Sequence, residues 1–448
     1  MSELLKKGDN IIPVTPVTAE RYISRDYATL EWQKLWPTSW LVAGVATDVA
    51  EAGDFFVFDL EPESIIVSRT SENQLAAFYN VCQHRGARIL LTDRGALDEY
   101  TCPYHGWKYA NDGTLVHAPE GEGFSRGDPC EKLSLKSVRV EAWAGIIWIC
   151  MDPAAPDLTE YLGPIPDMIA PFRPQDMRLV EDQTVQLECN WKAVYDNFGE
   201  LYHVEHIHPQ HELIFDCPTA VNELMDNGHT RVLIDGFTVN SRLPIPDEVP
   251  VTMWQQMKAL GMDKADYQGR VLELRRDIQL KKREMAPALG YNYDQLTDEQ
   301  LSDIVQYNIF PNSILVLQPE EMWILRARPH ATDPDKCYWD KFALRMLPDR
   351  EIQENASVSF PPIQNRANIS FNIDQTPDGL ERPEHDEFTQ EDIIAGRKTM
   401  TITLDQDIHL IRDVQKGMHS RGFSEAWLND EESRVQHYHS RLDHVMED

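Results

Sequence analysis

Two cysteines and two histidines in the first third of the chain could close a metal site. One residue separates Cys82 from His84, two residues separate Cys102 from His105, and seventeen residues lie between the pairs. Thiolates and imidazoles are the ligands of structural zinc sites, where all four bind one ion. The same side chains can hold a [2Fe–2S] cluster, with both cysteines on one iron and both histidines on the other. Spacing alone leaves both alternatives open.

A second group of ligand-type side chains follows at 196–208, in the sequence DNFGELYHVEHIH. Glu200 and His203 are three residues apart, which places them on one face of a helix. His203 and His208 are five apart, so the helix must loosen or end between them. Two imidazoles and a carboxylate form the facial triad of non-haem Fe(II) oxygenases, which leaves positions open for dioxygen and substrate.

Both groups resemble the metal-binding motifs of the Rieske non-haem iron oxygenase family, in particular the large (alpha) subunit of aromatic ring-hydroxylating dioxygenases. The segments AFYNVCQHRGARI and YTCPYHGWKYANDGTL are similar to the two cluster-binding loops of that family. The sequence NWK followed by the 196–208 segment is similar to its mononuclear-iron motif. The resemblance extends from about Trp36 to His439 and is weakest at 215–305.

The resemblance implies one [2Fe–2S] cluster per chain rather than zinc. Its ligands would be Cys82, His84, Cys102 and His105. Because two neutral imidazoles replace two thiolates, such a cluster is less negative and accepts an electron more easily than an all-cysteine cluster.

The resemblance also implies one mononuclear Fe(II) per chain, bound by His203 and His208. The family carries the third ligand on a C-terminal helix, and LDQDIHLIRDVQKG resembles that helix with Asp407 at the ligand position. Asp405 is the alternative, although it would point to a different face. Either acid would also suit the first turn of a helix, where the dipole favours negative charge.

Glu200 and Asn197 are the expected catalytic residues beside the iron ligands. In the family, the acid at the position of Glu200 links the iron site by hydrogen bonds to a cluster-ligand histidine of a neighbouring subunit, which would be His105. Many members have Asp at this position, so Asp196 is the alternative link.

Apolar side chains near the second motif are the expected substrate-binding residues. They are Phe198, Leu213, Ile214 and Phe215. Each would also serve as ordinary core. Arg326 and Arg328 could bind a substrate carboxylate, or they could form salt bridges on a strand face.

Charge and cysteine content limit the class of protein. The formal net charge is −32, from 74 acidic and 42 basic residues, which disfavours binding to nucleic acid or anionic membranes. The excess negative charge would keep the protein soluble, form a docking surface for a basic electron donor, or favour a cationic substrate. Seven cysteines do not suggest a disulfide framework, and no signal pattern or membrane-length apolar run is present. A cytoplasmic protein is expected.

The elements that must position these residues fall into two parts. Short β-type runs separated by Gly, Asp and Asn turns fill 40–150, which predicts an all-β module. The predicted fold class is α+β, with an all-β Rieske [2Fe–2S] domain at 39–165 inserted in a larger α+β catalytic domain. That domain, built from the helical residues 1–38 and from 166–448, has an antiparallel sheet flanked by helices. A charged helical stretch at 252–305 could be a lid or a subunit contact.

Electrons must come from outside the chain, because it contains no G-x-G-x-x-G nucleotide-binding fingerprint. The resemblance implies a ferredoxin or reductase partner with NADH as the ultimate donor, and a homotrimer or an alpha3beta3 assembly with a small subunit. It favours cis-dihydroxylation of an aromatic substrate by dioxygen. The alternatives are monooxygenation (O- or N-demethylation, or hydroxylation) and a Rieske electron-transfer protein without oxygenase activity.

We expect purified protein to be red-brown and to contain about three irons per chain, two in the cluster and one mononuclear. Metal analysis combined with visible absorption tests this expectation. About two irons per chain would favour the electron-transfer protein, and a colourless zinc protein would contradict both iron sites.

Overall fold

The computed structural model of the chain describes residues 4–6, 16–346 and 382–447. It contains two compact units. The smaller unit comprises Thr29–Tyr161 and His330–Thr332, and the larger comprises the remaining described residues. None of the described helices is both long enough and apolar enough to cross a membrane. The boundaries 39 and 165 expected from the sequence remain predictions.

The strands and helices are numbered in chain order. The strands are β1 (Leu4–Lys6), β2 (Val17–Thr18), β3 (Leu41–Val45), β4 (Asp54–Leu60), β5 (Glu63–Arg69), β6 (Leu75–Tyr79), β7 (Arg94–Ala96), β8 (Glu99–Thr101), β9 (Lys108–Ala110), β10 (Leu115–His117), β11 (Ser137–Trp143), β12 (Ile146–Cys150), β13 (Arg178–Leu187), β14 (Phe215–Met225), β15 (Thr230–Gly236), β16 (Ile304–Ile309), β17 (Ser313–Gln318), β18 (Glu321–Pro329), β19 (Cys337–Arg345), β20 (Asp386–Thr389) and β21 (Glu425–Ala426). The helices are α1 (Glu20–Ile23), α2 (Arg25–Lys34), α3 (Leu158–Leu162), α4 (Ile165–Ile169), α5 (Trp191–Asn197), α6 (Val204–Ile207), α7 (Val251–Ala259), α8 (Leu274–Met285), α9 (Gln390–Ile394), α10 (Ile402–Met418) and α11 (Ser433–Glu447).

The smaller unit contains two antiparallel sheets. One has seven strands in the order β3-β12-β11-β6-β5-β4-β7, and the other has three in the order β10-β9-β8. In β4, Phe56, Phe58 and Leu60 are buried, whereas Val57 and Asp59, which alternate with them, are only partly buried. This alternation is typical of a strand whose one face is covered. The loop after β6 carries the first Cys/His pair and the β8–β9 loop carries the second. The predicted all-β module is confirmed.

A nine-stranded sheet forms the centre of the larger unit. Its order is β1-β14-β15-β16-β17-β18-β19-β13-β20, and all neighbours are antiparallel except β13 and β20. Helices accompany this sheet, so the predicted α+β class with an antiparallel sheet is confirmed. The helical stretch expected at 252–305 contains α7 and α8, whereas its last residues begin β16. Met253 and Ile278 of these helices pack in one core with Val232 and Ile234 of β15.

A buried charge cluster joins three adjacent strands of this sheet, β18, β19 and β13. Arg326 Nη2 and Arg328 Nε lie 2.7 and 2.6 Å from Asp340 Oδ2, and Thr184 Oγ1 donates to Asp340 Oδ1 at 2.7 Å. Burial alone would raise the pKa of Asp340, but the two guanidinium groups hold that pKa well below its usual range. The arginines that could have bound a substrate carboxylate are therefore paired within the sheet.

We expect Asp340→Ala to lower the free energy of unfolding by about 3–5 kcal/mol, because it leaves two largely buried cations without their carboxylate. Urea unfolding followed by tryptophan fluorescence measures the loss. The matched control is Asp386→Ala, which removes an ion pair to Lys398 whose side chains are 40% and 43% exposed. That change should cost less than about 1 kcal/mol. Equal losses in both variants would contradict the role of the buried cluster.

Candidate metal centres and substrate cavity

The two Cys/His loops of the smaller unit have the same backbone turn. Gly86 N–H donates to the carbonyl of Cys82, and Gly106 N–H donates to the carbonyl of Cys102, both at 3.0 Å. Both glycines have left-handed backbones, with φ of 76° and 72°. A side chain would strain these positions, so glycine is suited to closing each loop.

The four candidate ligands converge at the ends of these loops. Cys82 and Cys102 are buried, and the Nδ1 atoms of His84 and His105 lie 3.1 Å apart. The two imidazole rings are nearly perpendicular, at 72°, with centroids 4.5 Å apart. Two adjacent ring nitrogens beside two buried thiols are the donor set of a [2Fe–2S] centre with mixed ligation. These residues fit that cluster.

Two aromatic residues contact this site, and the spacing of the Cys/His pairs in the sequence does not indicate them. The Trp107 ring stacks on His84, with centroids 4.9 Å apart and an interplanar angle of 9°. The Tyr109 hydroxyl accepts from Gln83 N–H at 3.0 Å and lies 3.4 Å from Cys82 Sγ. Since the hydroxyl oxygen already accepts from the backbone, its own hydrogen is available to the sulfur. Strand β9 places Tyr109 in this position.

The candidate mononuclear site lies in the larger unit, where two distant segments meet. His203 lies in the turn between α5 and α6, His208 follows the end of α6, and Asp407 lies in α10. One ligand atom from each lies within 4.8 Å of the others. Asp407 Oδ1 is 3.1 Å from His208 Nε2 and 3.7 Å from His203 Nε2. The structure thus brings together the three residues expected from the sequence.

The protons on the two imidazoles are fixed by acceptors behind them. Glu200 Oε1 lies 2.5 Å from His203 Nδ1, and Gln406 Oε1 lies 2.7 Å from His208 Nδ1. Both oxygens are acceptors, so each Nδ1 donates, and in the neutral form of each imidazole Nε2 carries the lone pair. Gln210 Nε2 donates to Gln406 Oε1 at 2.7 Å and fixes that amide.

Three lone-pair atoms therefore face one another. Asp407 is only 6% exposed, and its Oδ1 has no hydrogen-bond partner among the described residues. A buried carboxylate oxygen directed at the Nε2 atoms of two neutral imidazoles is repulsive unless a proton or a metal ion lies between them. Two imidazoles and one carboxylate are also the ligand set of a mononuclear ferrous site. These residues fit the iron.

The alternative acids have other partners. Asp405 accepts from Thr399 Oγ1 at 2.5 Å and from Met400 N–H at 2.9 Å, so it closes the turn before α10. Asp196 accepts from Tyr22 Oη at 2.5 Å and lies 3.1 Å from His439 Nε2. Glu200 also accepts from His203 N–H at 3.1 Å. Of these three acids, only Glu200 contacts a candidate iron ligand.

A cavity of about 130 Å³ adjoins the three candidate iron ligands. It is lined by Asn197, Phe198, Glu200, Leu201, His203, Val204, His208, His211, Phe215, Cys217, Ile234, Ile304, Gln306, Val316, Gln318, Glu321, Trp323, Thr403, Leu404 and Asp407. One wall is a single face of the large sheet, because residues two apart on one strand share a face with each other and with their cross-strand partners. Cross-strand partners such as Gln306 and Val316, and Val316 and Trp323, illustrate this.

Two of the four predicted substrate-binding residues line this cavity and two do not. Phe198 and Phe215 line it. Leu213 is 36% exposed, and Ile214 packs in the core with Met253, so the expectation that they line the cavity was wrong. Phe215 belongs to the same core cluster as Ile214, but of the two only Phe215 also lines the cavity. No described residue of 251–303 lines the cavity, but α7 and α8 pack in one core with the lining residues Phe215 and Ile234.

Comparison with known proteins agrees with both sites. The ring hydroxylating alpha subunit (catalytic domain) family matches residues 174–448, and the Rieske [2Fe-2S] domain family matches residues 39–133. The chain belongs to the ring-hydroxylating alpha subunit family, and the resemblance inferred from the motifs is confirmed. The Rieske domain carries a [2Fe–2S] cluster and the catalytic domain carries a mononuclear iron.

Relatives include both monooxygenases and dioxygenases. The glycine betaine monooxygenase oxygenase subunit of Pseudomonas aeruginosa is 27% identical over 224 residues, which cover 47% of this chain and 52% of the relative. Benzene 1,2-dioxygenase subunit alpha of Pseudomonas putida is 34% identical over 188 residues, which cover 41% and 42%. The chain thus spans about half the length of these relatives. A solved quaternary ammonium Rieske monooxygenase, at 17% identity, has the same fold over 96% of both chains with a TM-score of 0.65.

We expect Tyr109→Phe to lower the reduction potential of the cluster by about 60 mV, which corresponds to about 1.4 kcal/mol for a one-electron couple. A hydrogen bond to a ligand sulfur stabilises the more negative, reduced state, so its loss favours the oxidised state. Potentiometric titration of the visible spectrum measures the shift. An unchanged or higher potential would contradict the Tyr109–Cys82 hydrogen bond.

We expect Gln406→Leu to weaken iron binding at the mononuclear site about 10–100-fold, because it removes the acceptor that orients His208. Competition with a ferrous chelator under anaerobic conditions measures this affinity. Gln406→Glu is the matched control, since it keeps an acceptor oxygen at the same place and should retain the iron. Equal affinities in the Leu variant and the unmodified protein would remove Gln406 from the site.

Proposed function

We propose that the protein is a terminal oxygenase component that hydroxylates a small, neutral and mainly apolar substrate, with cis-dihydroxylation of an aromatic ring as the leading reaction. The observation that carries this proposal is the cavity beside His203, His208 and Asp407. Half of its lining side chains are apolar, and none of the described lining residues is Lys or Arg. A substrate carboxylate would therefore find no cationic side chain there.

The size of the cavity suits a single ring. Its volume is about 130 Å³. In another protein, an apolar cavity of about 150 Å³ lined by Leu, Ile and Phe stays dry and binds benzene. Phe198, Phe215 and Trp323 offer aromatic surfaces, and the aliphatic side chains around them exclude water. A compact aromatic compound would fill this space with little loss of polar solvation.

The side chains around the triad prepare the site. Mononuclear iron, when bound, supplies the centre at which dioxygen is activated. Glu200 and Gln406 keep the protons on Nδ1 of His203 and His208, which leaves both Nε2 atoms for the metal. The apolar wall holds the ring beside the triad and keeps bulk water away.

Monooxygenation is the second candidate reaction, because relatives with that activity match the chain as well as the dioxygenase does. The carnitine monooxygenase oxygenase subunit of Escherichia coli is 33% identical over 195 residues. Carnitine and glycine betaine carry a carboxylate together with a quaternary ammonium group, and the described part of the cavity lining has no Lys or Arg to pair with that carboxylate. Within this second candidate, we therefore favour a neutral O- or N-methylated aromatic compound.

Electrons would reach the site from a ferredoxin or reductase supplied ultimately by NADH. We further propose a homotrimer or alpha3beta3 assembly in which Glu200 of one subunit links to His105 of the next. Each carboxylate oxygen of Glu200 has one partner on His203 and keeps a second lone pair. Its bonds within the chain are therefore compatible with one further donor.

Turnover under ¹⁸O₂ separates the two candidate reactions. Holoenzyme with a surrogate reductase and NADH is incubated with toluene, anisole and N,N-dimethylaniline, and the products are analysed by mass spectrometry. A cis-diol with two labelled oxygens supports dihydroxylation, whereas one labelled oxygen or demethylation supports monooxygenation. Absence of oxygen uptake with every neutral aromatic, together with turnover of a charged compound, would contradict the proposal.

We expect Glu200→Gln to retain iron, because the amide oxygen still accepts from His203 Nδ1, yet to lower the turnover rate by at least about 100-fold. The lost charge would weaken the link to the imidazole of the neighbouring cluster. Stopped-flow oxidation of the reduced cluster, measured beside iron content, separates slow electron transfer from metal loss. Wild-type oxidation kinetics in this variant would contradict the bridging role.

A further inference from the structure

We infer that the substrate carries a hydrogen-bond donor, and that Gln318 and Glu321 bind it where β17 turns into β18. This inference rests on the proposed function and narrows its substrate class. Gln318 is the last residue of β17, Glu321 is the first of β18, and the two are cross-strand partners. Both line the cavity. We call these two residues the acceptor end.

The acceptor end differs from the rest of the sheet wall. The neighbouring cross-strand pair on the same face is Val316 and Trp323, and Ile234 and Ile304 extend the apolar surface. Apolar contact along this surface would hold the body of the substrate without orienting it. A few placed polar groups usually fix orientation in such cavities.

Gln318 has an unused acceptor. Its Oε1 is buried and has no hydrogen-bond partner among the described residues. A buried carbonyl oxygen without a donor has lost its water without compensation. An N–H or O–H of a bound molecule would restore that hydrogen bond, so the affinity for a donor-bearing ligand should exceed that for an apolar ligand of the same shape.

Glu321 adds a second acceptor whose charge is already compensated. The side chain is largely buried, and Oε1 accepts from Arg345 Nε at 2.7 Å. Arg345 does not line the cavity, so the carboxylate faces the ligand space while its counter-ion lies behind it. A paired carboxylate has less electrostatic demand for a cation than an isolated one. Neutral donors, such as the N–H of an aniline or anilide or the O–H of a phenol, therefore suit this end.

The other sheet-wall amide is committed elsewhere. Gln306 Nε2 donates to Phe198 O at 2.5 Å and to Asn308 Oδ1 at 2.8 Å. This amide fixes the turn that leads to the iron-binding histidine, and its hydrogens are not available to a ligand. At the end of this wall where β17 turns into β18, recognition of a donor group on the substrate falls to Gln318 and Glu321.

Ligand binding to anaerobic holoenzyme without an electron donor tests this inference. Isothermal titration calorimetry is performed with aniline, anisole and toluene, which have similar sizes and carry a donor, only an acceptor, and neither. We expect aniline to bind about tenfold more tightly than toluene, and anisole to bind no better than toluene. Tighter binding of anisole than of aniline, or equal binding of all three, would overturn the inference.

Two variants assign the effect to the acceptor end. Gln318→Leu should abolish most of the preference for aniline over toluene. Val316→Ile, a neighbouring change without a polar atom, should shift all three affinities in the same direction and keep the preference. Iron content and the unfolding midpoint of each variant show whether it is folded. A Gln318→Leu protein that is folded and loaded with iron but keeps the full preference would contradict the assignment.

The outcome is independent of turnover. Because the titrations contain no reductant, a preference for aniline that depends on Gln318 would stand even if the labelled-dioxygen experiment excluded aromatic hydroxylation. Conversely, toluene could give labelled products while the Gln318→Leu variant keeps the full preference for aniline. In that case the proposed function would stand, and the acceptor end would have no role in binding.

Discussion

Three ligand atoms held within 4.8 Å of one another are the constraint on which the chemistry of the larger unit depends. The carboxylate oxygen of Asp407 faces the Nε2 atoms of two imidazoles whose protons are held on the other side by Glu200 and Gln406. Without a cation, burying this arrangement is costly; with ferrous iron, the same lone pairs become ligands. The protein can maintain it because α5, α6 and α10 belong to one body built on a nine-stranded sheet.

The sheet also explains why one cavity can combine metal chemistry with selectivity. Its face supplies an apolar wall from β15 to β18, and the buried Arg326–Asp340–Arg328 cluster ties β18 to β19 within it. Helices α7 and α8 pack against β14 and β15 without entering the cavity. These helices share a core with the lining residues Phe215 and Ile234, whereas the wall can vary in polarity at single positions such as Gln318.

Local spacing in the sequence predicts much of this chemistry. The Cys82/His84 and Cys102/His105 pairs, and His203 with His208, are close in the chain, so short loops suffice to bring each pair together. Asp407 is different, because nothing near it in sequence indicates its partners, and only resemblance to a family suggested it. The β-rich module and the α+β class followed from alternating apolar runs and turn residues.

Other parts of the site depend on strand register and on turns, which the sequence does not specify. Tyr109 reaches Cys82 because β9 runs beside the cluster loop, and Gln406 reaches His208 from the helix that also carries Asp407. Leu213 and Ile214 were expected in the cavity because they are apolar and close to the motif. Of these consecutive residues, only Phe215, the first residue of β14, lines the cavity.

Iron content of the Asp407→Ala variant, with Asp405→Ala as its matched control, tests the central claim most directly. If Asp407 completes the triad, Asp407→Ala should lose the mononuclear iron and keep the cluster with an unchanged visible spectrum, whereas Asp405→Ala should keep both. Retention of the mononuclear iron in Asp407→Ala, or its loss only in Asp405→Ala, would contradict this account.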